Sequence, residues 1–297
     1  MMLIAIDHGN KQMKTAHHTF SSGLCESDTK PPFGENVLRY KGKYYTLSDQ
    51  RIPYMRDKTK DDRFFILRYL RYPANETVDV ALAVGLPPAH YGTQYKRFEQ
   101  YFINRGVTDY ELDGRNYRIC IHRAICFPQA YAAVMPVYPR IQQFSKAIVV
   151  DIGGFTADYL LIKNGQADLS VCDSMENGVI TLYNRIKSKV NADYDMLLDE
   201  SDVDVILQDK AHDYNETIVR VIKEQAQQFI DDLFGKLRER MIDLRTGKAI
   251  FAGGGSILLR KQIEASGKIG SAIFVSEISA NTKGYELLYR ASQAGVR

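Results

Sequence analysis

Ten residues, Val149-Val150-Asp151-Ile152-Gly153-Gly154-Phe155-Thr156-Ala157-Asp158, constrain this chain more than any other stretch. The β-formers Ile148, Val149 and Val150 run into an aspartate, a glycine pair, a threonine and a second aspartate, and another apolar run follows at 159–162. That order predicts two strands joined by a turn almost stripped of side chains. Backbone N–H groups in such a turn can approach an anion closely. A carboxylate at the strand end suits a hydrated Mg²⁺ that bridges phosphates. Taken alone, the same residues also fit a tight turn closed by an Asx-type hydrogen bond.

A second copy narrows the reading. Residues 3–14 repeat the pattern: an apolar strand runs into Asp7, then Gly9, with Lys14 on the return strand. A third cluster, Phe251-Ala252-Gly253-Gly254-Gly255-Ser256, follows a strand-like run at 248–251 and opens a helix. Strand–Asp–Gly turns half a chain apart are the mark of a duplicated unit. Two such halves would face each other across a cleft holding a nucleotide.

At these residues the chain resembles the actin-like ATPase superfamily, which includes Hsp70 and sugar kinases, and within it the bacterial plasmid-segregation ParM/StbA-like branch. Asp7-His8-Gly9-Asn10 with Lys14 resembles the family's first phosphate loop, Asp151 through Asp158 its second, and Ala252-Gly253-Gly254-Gly255-Ser256 its adenosine motif. The resemblance runs in the right order over nearly the whole chain. It implies an α/β actin-like ATPase fold with two duplicated RNase H-like domains flanking a nucleotide cleft. The first would be residues 1–138 plus 281–297, with phosphate loop 1 and the connecting helices; the second would be residues 139–280. ATP is the implied nucleotide, with GTP left open because adenine-side contacts vary. Mg²⁺ would be held through water by Asp7 and Asp151. The resemblance places Gly9, Asn10, Lys14, Gly153, Gly154, Phe155, Thr156, Gly178, Gly253, Gly254, Gly255 and Ser256 at the nucleotide. It places Gln129, Asp7, Asp151 and Asp158 at the catalytic centre.

Hydrolysis needs the phosphates cradled, a divalent cation held and a water aimed in line, so positioning and charge dominate the chemistry. The backbone N–H groups of Gly9, Asn10, Gly153 and Gly154 are candidates for the cradle, and Lys14 would reach a phosphate oxygen as a point charge. Gln129 stands where actin carries Gln and ParM carries Glu. An amide cannot usefully take a proton but can fix a water with one donor and one acceptor, so its expected role is positioning. The three glycines at 253–255 would admit adenine and ribose, and Ser256 would cap the helix that follows. Glu176 and Lys187 are nucleotide neighbours or, as ordinary helix charges, simply solvated. Asn10 departs from the Ser or Thr usual in plasmid relatives. His8 titrates near neutrality or is only a loop residue.

Composition sets outer bounds. The 297 residues are 45% hydrophobic and 25% charged, an ordinary globular balance with length for about two domains. A net charge of +3 argues against direct non-specific DNA binding. Cys25, Cys120, Cys126 and Cys172 show no C-x-x-C spacing and read as free thiols in a reducing compartment. No apolar run nears the ~20 residues that span a bilayer, and Met1-Met2 leads straight into a strand rather than a signal peptide. A cytoplasmic protein with no membrane partner is expected.

Along the chain, residues 20–35 read as loop, and 37–40 with 43–47 as a hairpin about Lys41-Gly42. Residues 48–62 are charged and irregular. Residues 63–72 read as a helix ended by Pro73, 78–84 as a buried strand, and 91–104 as a helix whose Tyr91, Tyr95, Phe98 and Phe102 form a core stripe. Asp113-Gly114 marks a further hairpin. Pro128 starts a helix in which Ala130, Ala132 and Ala133 allow a close partner. Helices are expected over 179–190, 215–243 and 256–265, and from 280 to the end, with a strand at 272–275.

The resemblance implies a polymerising ATPase. ATP-bound subunits would add head-to-tail into dynamic filaments, hydrolysis would destabilise them, and plasmid DNA would be segregated through a DNA-binding adaptor protein. A small-molecule kinase on the same fold is an alternative, although no segment after either phosphate loop is long enough to supply an obvious acceptor pocket. A non-polymerising, nucleotide-gated binding protein is another, against which Asp7, Asp151 and Gln129 speak together.

Overall fold

The structure is a computed structural model that describes all residues except 17, 33–34, 54, 56, 68–76, 211–212 and 296–297. The chain forms two compact units, Met1–Pro136 with Asn281–Arg297, and Val137–Ala280.

The first unit is built on a sheet of nine strands among the described residues. Its centre is β1 (Met2–His8), hydrogen-bonded antiparallel to β2 (Gln12–Thr15) and parallel to β7 (Thr77–Leu86), with β9 (Arg115–Pro128) parallel to β7. The β1 run Ile4–His8 and the β7 run Val80–Leu86 are buried continuously, as strands covered on both faces must be. On one face α2 (Pro88–Ile103) inserts Phe98 and Phe102 into the core. On the other, α10 (Ala280–Ala294) lays Tyr285 and Tyr289 on a flat floor of Ala5, Ala81 and Ala83. Strands β8 (Val107–Leu112), β5 (Leu38–Tyr40), β6 (Lys43–Ser48) and β4 (Gly23–Ser27) extend the sheet beyond β9, and β3 (Thr19–Ser21) ends it beyond β2. Helix α1 (Asp62–Ile66) is short, with Leu67 at its C-cap; residues 68–72 of the helix expected over 63–72, with Pro73, lie outside the described residues.

Two expectations in this unit are corrected. Residues 20–35 are not all loop, because β4 pairs residue by residue with β6, a non-local partner that no local pattern reveals. Pro128 does not open a helix. It ends β9, where Phe127 and Pro128 pair with Gly85 and Leu86, and the helix that follows, α3 (Tyr131–Val134), starts after a turn with Ala130 at φ 61°. The close partner expected for the alanines is present: a Cβ on Gly284 of α10 would sit 1.8 Å from the Ala132 carbonyl, so only glycine allows the two backbones to meet.

In the second unit, after α4 (Tyr138–Ile141), the sheet order is β12 (Gln166–Met175), β11 (Ala157–Lys163), β10 (Lys146–Ile152), β13 (Lys248–Ala252), β14 (Ala272–Phe274). Helices α5 (Val179–Tyr194) and α7 (Glu216–Glu239) pack on it, with Leu182, Ile186, Ile222, Phe229 and Leu233 in one cluster, as their 3.6-residue apolar spacing predicts. Helix α6 (Glu200–Leu207) is closed by an Asp199–Asp202 capping box. The helix expected over 256–265 is instead two short ones, α8 (Gly253–Leu258) and α9 (Arg260–Ala265), broken at Leu259.

Both units carry the same device. In the first, β1 and β2 pair Asp7 with Lys14; in the second, β10 and β11 pair Asp151 with Asp158. Each aspartate lies seven residues before its cross-strand partner, each hairpin closes through four residues, and each first strand has a parallel neighbour, β7 or β13.

Candidate nucleotide site

The turn after β1, expected to be the first phosphate loop, is tied down from behind. The hydroxyl of Ser22, fully buried, donates to the Gly9 carbonyl at 2.5 Å, and the ammonium of Lys58 donates to the His8 carbonyl. In a trans peptide the N–H points opposite the C=O, and the chain has no cis peptide among the described residues. The N–H groups of Gly9 and Asn10 are therefore turned away from these two donors, free to face an anion. Gly9 is required for close approach, since a Cβ there would lie 2.3 Å from the Gln12 carbonyl. The Asn10 Oδ1 is buried with no hydrogen-bond partner; as an acceptor it would be satisfied by a water or another donor, not by a phosphate oxygen. His8 is not a loop residue: its ring is wholly buried, 5.8 Å from Phe98 and 5.4 Å from Phe102 of α2.

Beside that loop stand three polar candidates of the first unit, Asp7, Lys14 and Gln129. Asp7 and Lys14, directly opposite across β1 and β2, have side chains on the same sheet face. Gln129, at the end of β9, is held by its own N–H to the Leu86 carbonyl at 2.9 Å, and its Nε2 donates to Asp7 Oδ1 at 2.9 Å. Both side chains are buried. With Nε2 committed to Asp7, the Oε1 is left to accept from a water, the positioning chemistry open to an amide.

The turn after β10, expected to be the second phosphate loop, reaches the same arrangement by another route. The carbonyls of Gly153, Gly154 and Phe155 accept from the N–H groups of Val179, Ile180 and Gly178, at 3.1, 2.9 and 2.8 Å. Three consecutive carbonyls thus turn toward the start of α5, and the N–H groups of Gly154, Phe155 and Thr156 turn away from it. This shifts the expected cradle by one residue, because the Gly153 N–H is spent inside the turn on the Thr156 carbonyl at 2.8 Å. Gly178 makes the packing possible: a Cβ there would lie 2.4 Å from the Gly154 carbonyl oxygen. Asp151 and Asp158, both buried, stand opposite each other on one face, a like-charged pair that a cation would relieve.

The glycines of the third motif differ in role. Gly253, at φ +83°, sits where a Cβ would be 2.2 Å from Asp151 Oδ1, and a Cβ on Gly255 would press on Ile152 and Val179. These two let α8 pack on β10. Gly254 has nothing within 4 Å of its Cβ position and is the one of the three open to a ligand. Ser256 does not cap a helix as expected. It lies inside α8, 1% exposed, its Oγ buried with no partner.

Next to Gly178 lies a groove of about 510 Å³ between α5 and α7, lined by Asn177, Thr181, Phe229, Gly235, Lys236 and Glu239 among others. Lys236 Nζ donates to Asn177 Oδ1 at 2.9 Å. Glu176 and Lys187, nucleotide neighbours or solvated charges on the sequence reading, do not line this groove. Gly235 in the groove is a glycine inside a long helix where a Cβ would meet nothing within 4 Å, so packing does not demand it. The described residues contain no group of three His, Cys, Asp or Glu able to hold a metal by themselves. Mg²⁺ prefers to keep its waters and to share phosphate oxygens, and the buried carboxylates of Asp7 in the first unit and of Asp151 in the second are each acceptors for such waters.

Comparison with known proteins bears on the fold and the motifs together. Residues 5–131 match the family described as actin-like proteins, N-terminal domain, and residues 149–265 match archaeal actin homologue MreB-like, C-terminal. The chain belongs to the actin-like superfamily. Among solved structures, this actin-like chain is similar to the archaeal actin homologue Ta0583, with TM-score 0.76, 19% identity and 98% and 100% of the two chains covered. It is also similar to the ParM of a 15-stranded filament from Clostridium botulinum, with TM-score 0.75, 14% identity and 97% and 99% covered. Bacillus thuringiensis ParM with AMPPNP gives TM-score 0.67 at 12% identity, with 99% of each chain covered. No curated protein sequence matches the chain. No helix among the described residues is long and apolar enough to cross a membrane.

Proposed function

We propose that this actin-like protein is an ATPase of the ParM-like branch, which binds ATP with Mg²⁺, assembles head-to-tail into filaments and disassembles after hydrolysis. One observation carries the reading: in both units the carbonyls of an Asp-x-Gly turn are held by buried donors or a helix start, which presents the following N–H groups to an anion. Related structures support it. Ta0583 was solved in complex with ADP, B. thuringiensis ParM with ATP and with AMPPNP, and C. botulinum ParM as a filament.

In this reading the units correspond to actin-like domains I and II, and each contributes a phosphate loop. Gly9 and Asn10, with Gly154, Phe155 and Thr156, bind phosphate oxygens through backbone N–H groups, and Lys14 adds a point charge. Asp7, Asp151 and Asp158 hold the hydrated Mg²⁺, which when bound neutralises charge on the phosphates. Gln129, oriented by Asp7, fixes the attacking water. Gly254, Ser256 and the groove of Asn177, Lys236 and Glu239 take the ribose and base. A heterologous contact that does not close builds an open filament. Plasmid DNA is then reached through a DNA-binding adaptor, in keeping with a net charge of only +3.

Light scattering and phosphate release followed in one tube test the proposal. With MgATP, scattering rises and then decays as phosphate appears; MgADP gives no rise. Gln129→Ala slows phosphate release by about a hundredfold, the size of effect expected when a reacting group is misplaced, and its filaments persist. Flat scattering with continued phosphate release overturns the filament and turns the search to a kinase acceptor. Nucleotide binding with neither signal overturns the ATPase and leaves a nucleotide-gated binding protein.

A further inference from the structure

We propose that Lys58 is a positioning residue of the triphosphate site: a buried ammonium behind phosphate loop 1 that fixes the His8–Gly9 peptide and biases the loop toward highly charged polyphosphates. The inference rests on the nucleotide reading above. Lys58 lies in the charged segment 48–62, where sequence pattern gives no reason to single it out, and lysine is seldom buried. Here it is 6% exposed, its Nζ donates to the His8 carbonyl, and it lies 5.5 Å from the centroid of the Phe64 ring. Its neighbour Lys60 is exposed.

The anchoring is specific to this residue. Lys58 begins a single 3-10 turn, Lys58–Lys60, capped by Asp57, whose Oδ1 accepts from the N–H and hydroxyl of Thr59 at 3.1 and 2.6 Å. Arg97 of α2 clamps that turn by pairing with Asp57 and donating to Thr59 Oγ1 at 3.2 Å. The ammonium is thus carried on a short rigid turn fixed to the helix that also buries the His8 ring.

Two effects follow. The bond to the His8 carbonyl turns the Gly9 N–H outward, as Ser22 does one peptide later without any charge. The positive charge also sits one peptide away from where an anion meets that N–H. In a poorly hydrated interior such a charge is weakly screened and acts more strongly on a ligand with more negative charge. Lys11 within the loop and Lys14 on the return strand are the other cations of this turn, and Lys58 is the one carried on the 3-10 turn.

The test is calorimetric titration of wild type, Lys58→Met, Lys58→Gln and Ser22→Ala with MgATP, MgADP and inorganic tripolyphosphate at low and moderate salt, with ligand-free melting recorded for each. Lys58→Gln keeps a donor for the His8 carbonyl and drops the charge, whereas Lys58→Met drops both. The expected result is a loss of about tenfold or more in MgATP and tripolyphosphate affinity in both Lys58 variants, with a smaller loss for MgADP and a shallower salt dependence. Ser22→Ala weakens all three ligands by a similar factor and leaves the salt dependence unchanged. An unchanged preference for triphosphate over diphosphate in folded Lys58→Gln overturns the proposal, as does an affinity loss that only tracks a fall in the melting midpoint. If wild type binds none of the three ligands, it is the nucleotide reading that fails.

Discussion

Gly253 has two reasons to be glycine: its φ of +83°, and an Asp151 carboxylate oxygen 2.2 Å from where a Cβ would stand. Gly253→Ala should cost about 1–3 kcal/mol of stability, the range for a strained backbone position with a clash, read as a lower midpoint in chemical denaturation. Gly254→Ala meets open space in a helix, where alanine is the better residue. Its stability should hold or rise while nucleotide affinity falls, which denaturation and titration on one preparation will separate. In the sequence the three glycines are indistinguishable. Which of them serves packing depends on β10, about a hundred residues earlier in the chain. Ser256 shows the same limit, since a serine after glycines reads as a cap until the helix proves to start at Gly253.

At the scale of elements, the duplicated hairpins differ at one position. The first unit sets Lys14 against Asp7, and the second sets Asp158 against Asp151. Asp158→Asn removes one of two like charges, so without Mg²⁺ it should stabilise the protein by roughly 0.5–1 kcal/mol; with MgATP it should lose most of the ligand-induced stabilisation. Melting curves with and without MgATP report both. Helix α2 carries a pH-dependent cost. The carboxylate of Glu99, half-buried, accepts the Cys126 N–H at 2.8 Å, and burial pushes its pKa above the ordinary value, against the pull of that N–H and of Lys96. A carboxyl with a raised folded pKa favours the fold below its unfolded value and loses that contribution as pH rises through the folded one. Glu99→Gln keeps an acceptor for Cys126 and should raise the denaturation midpoint modestly at pH 7, with no gain at pH 4. The strands and helices themselves were legible wherever the apolar period was long, as in α5 and α7. They were not legible at β4 and at the end of β9, because the hydrogen-bond partners there, β6 and β7, are remote in sequence.

For the whole molecule, ligand linkage gives a direct measurement. MgATP at about a hundred times its dissociation constant should stabilise the protein by about 2.7 kcal/mol, visible as a raised melting midpoint, and chelating the Mg²⁺ should remove most of the gain. The superfamily and the duplication were legible in the sequence, as were the two Asp-x-Gly turns proposed as phosphate loops and Gln129 as a water-positioning candidate, because these depend on short ordered motifs and on glycine where a backbone must come close. Which N–H groups face outward was not legible there, since it follows from where the carbonyls of His8, Gly9, Gly153, Gly154 and Phe155 find donors. The groove between α5 and α7 and the burial of Lys58 arise the same way. A lysine in a charged loop and a glycine in a long helix carry no local mark of function, and they acquire it through the distant residues that pack around them.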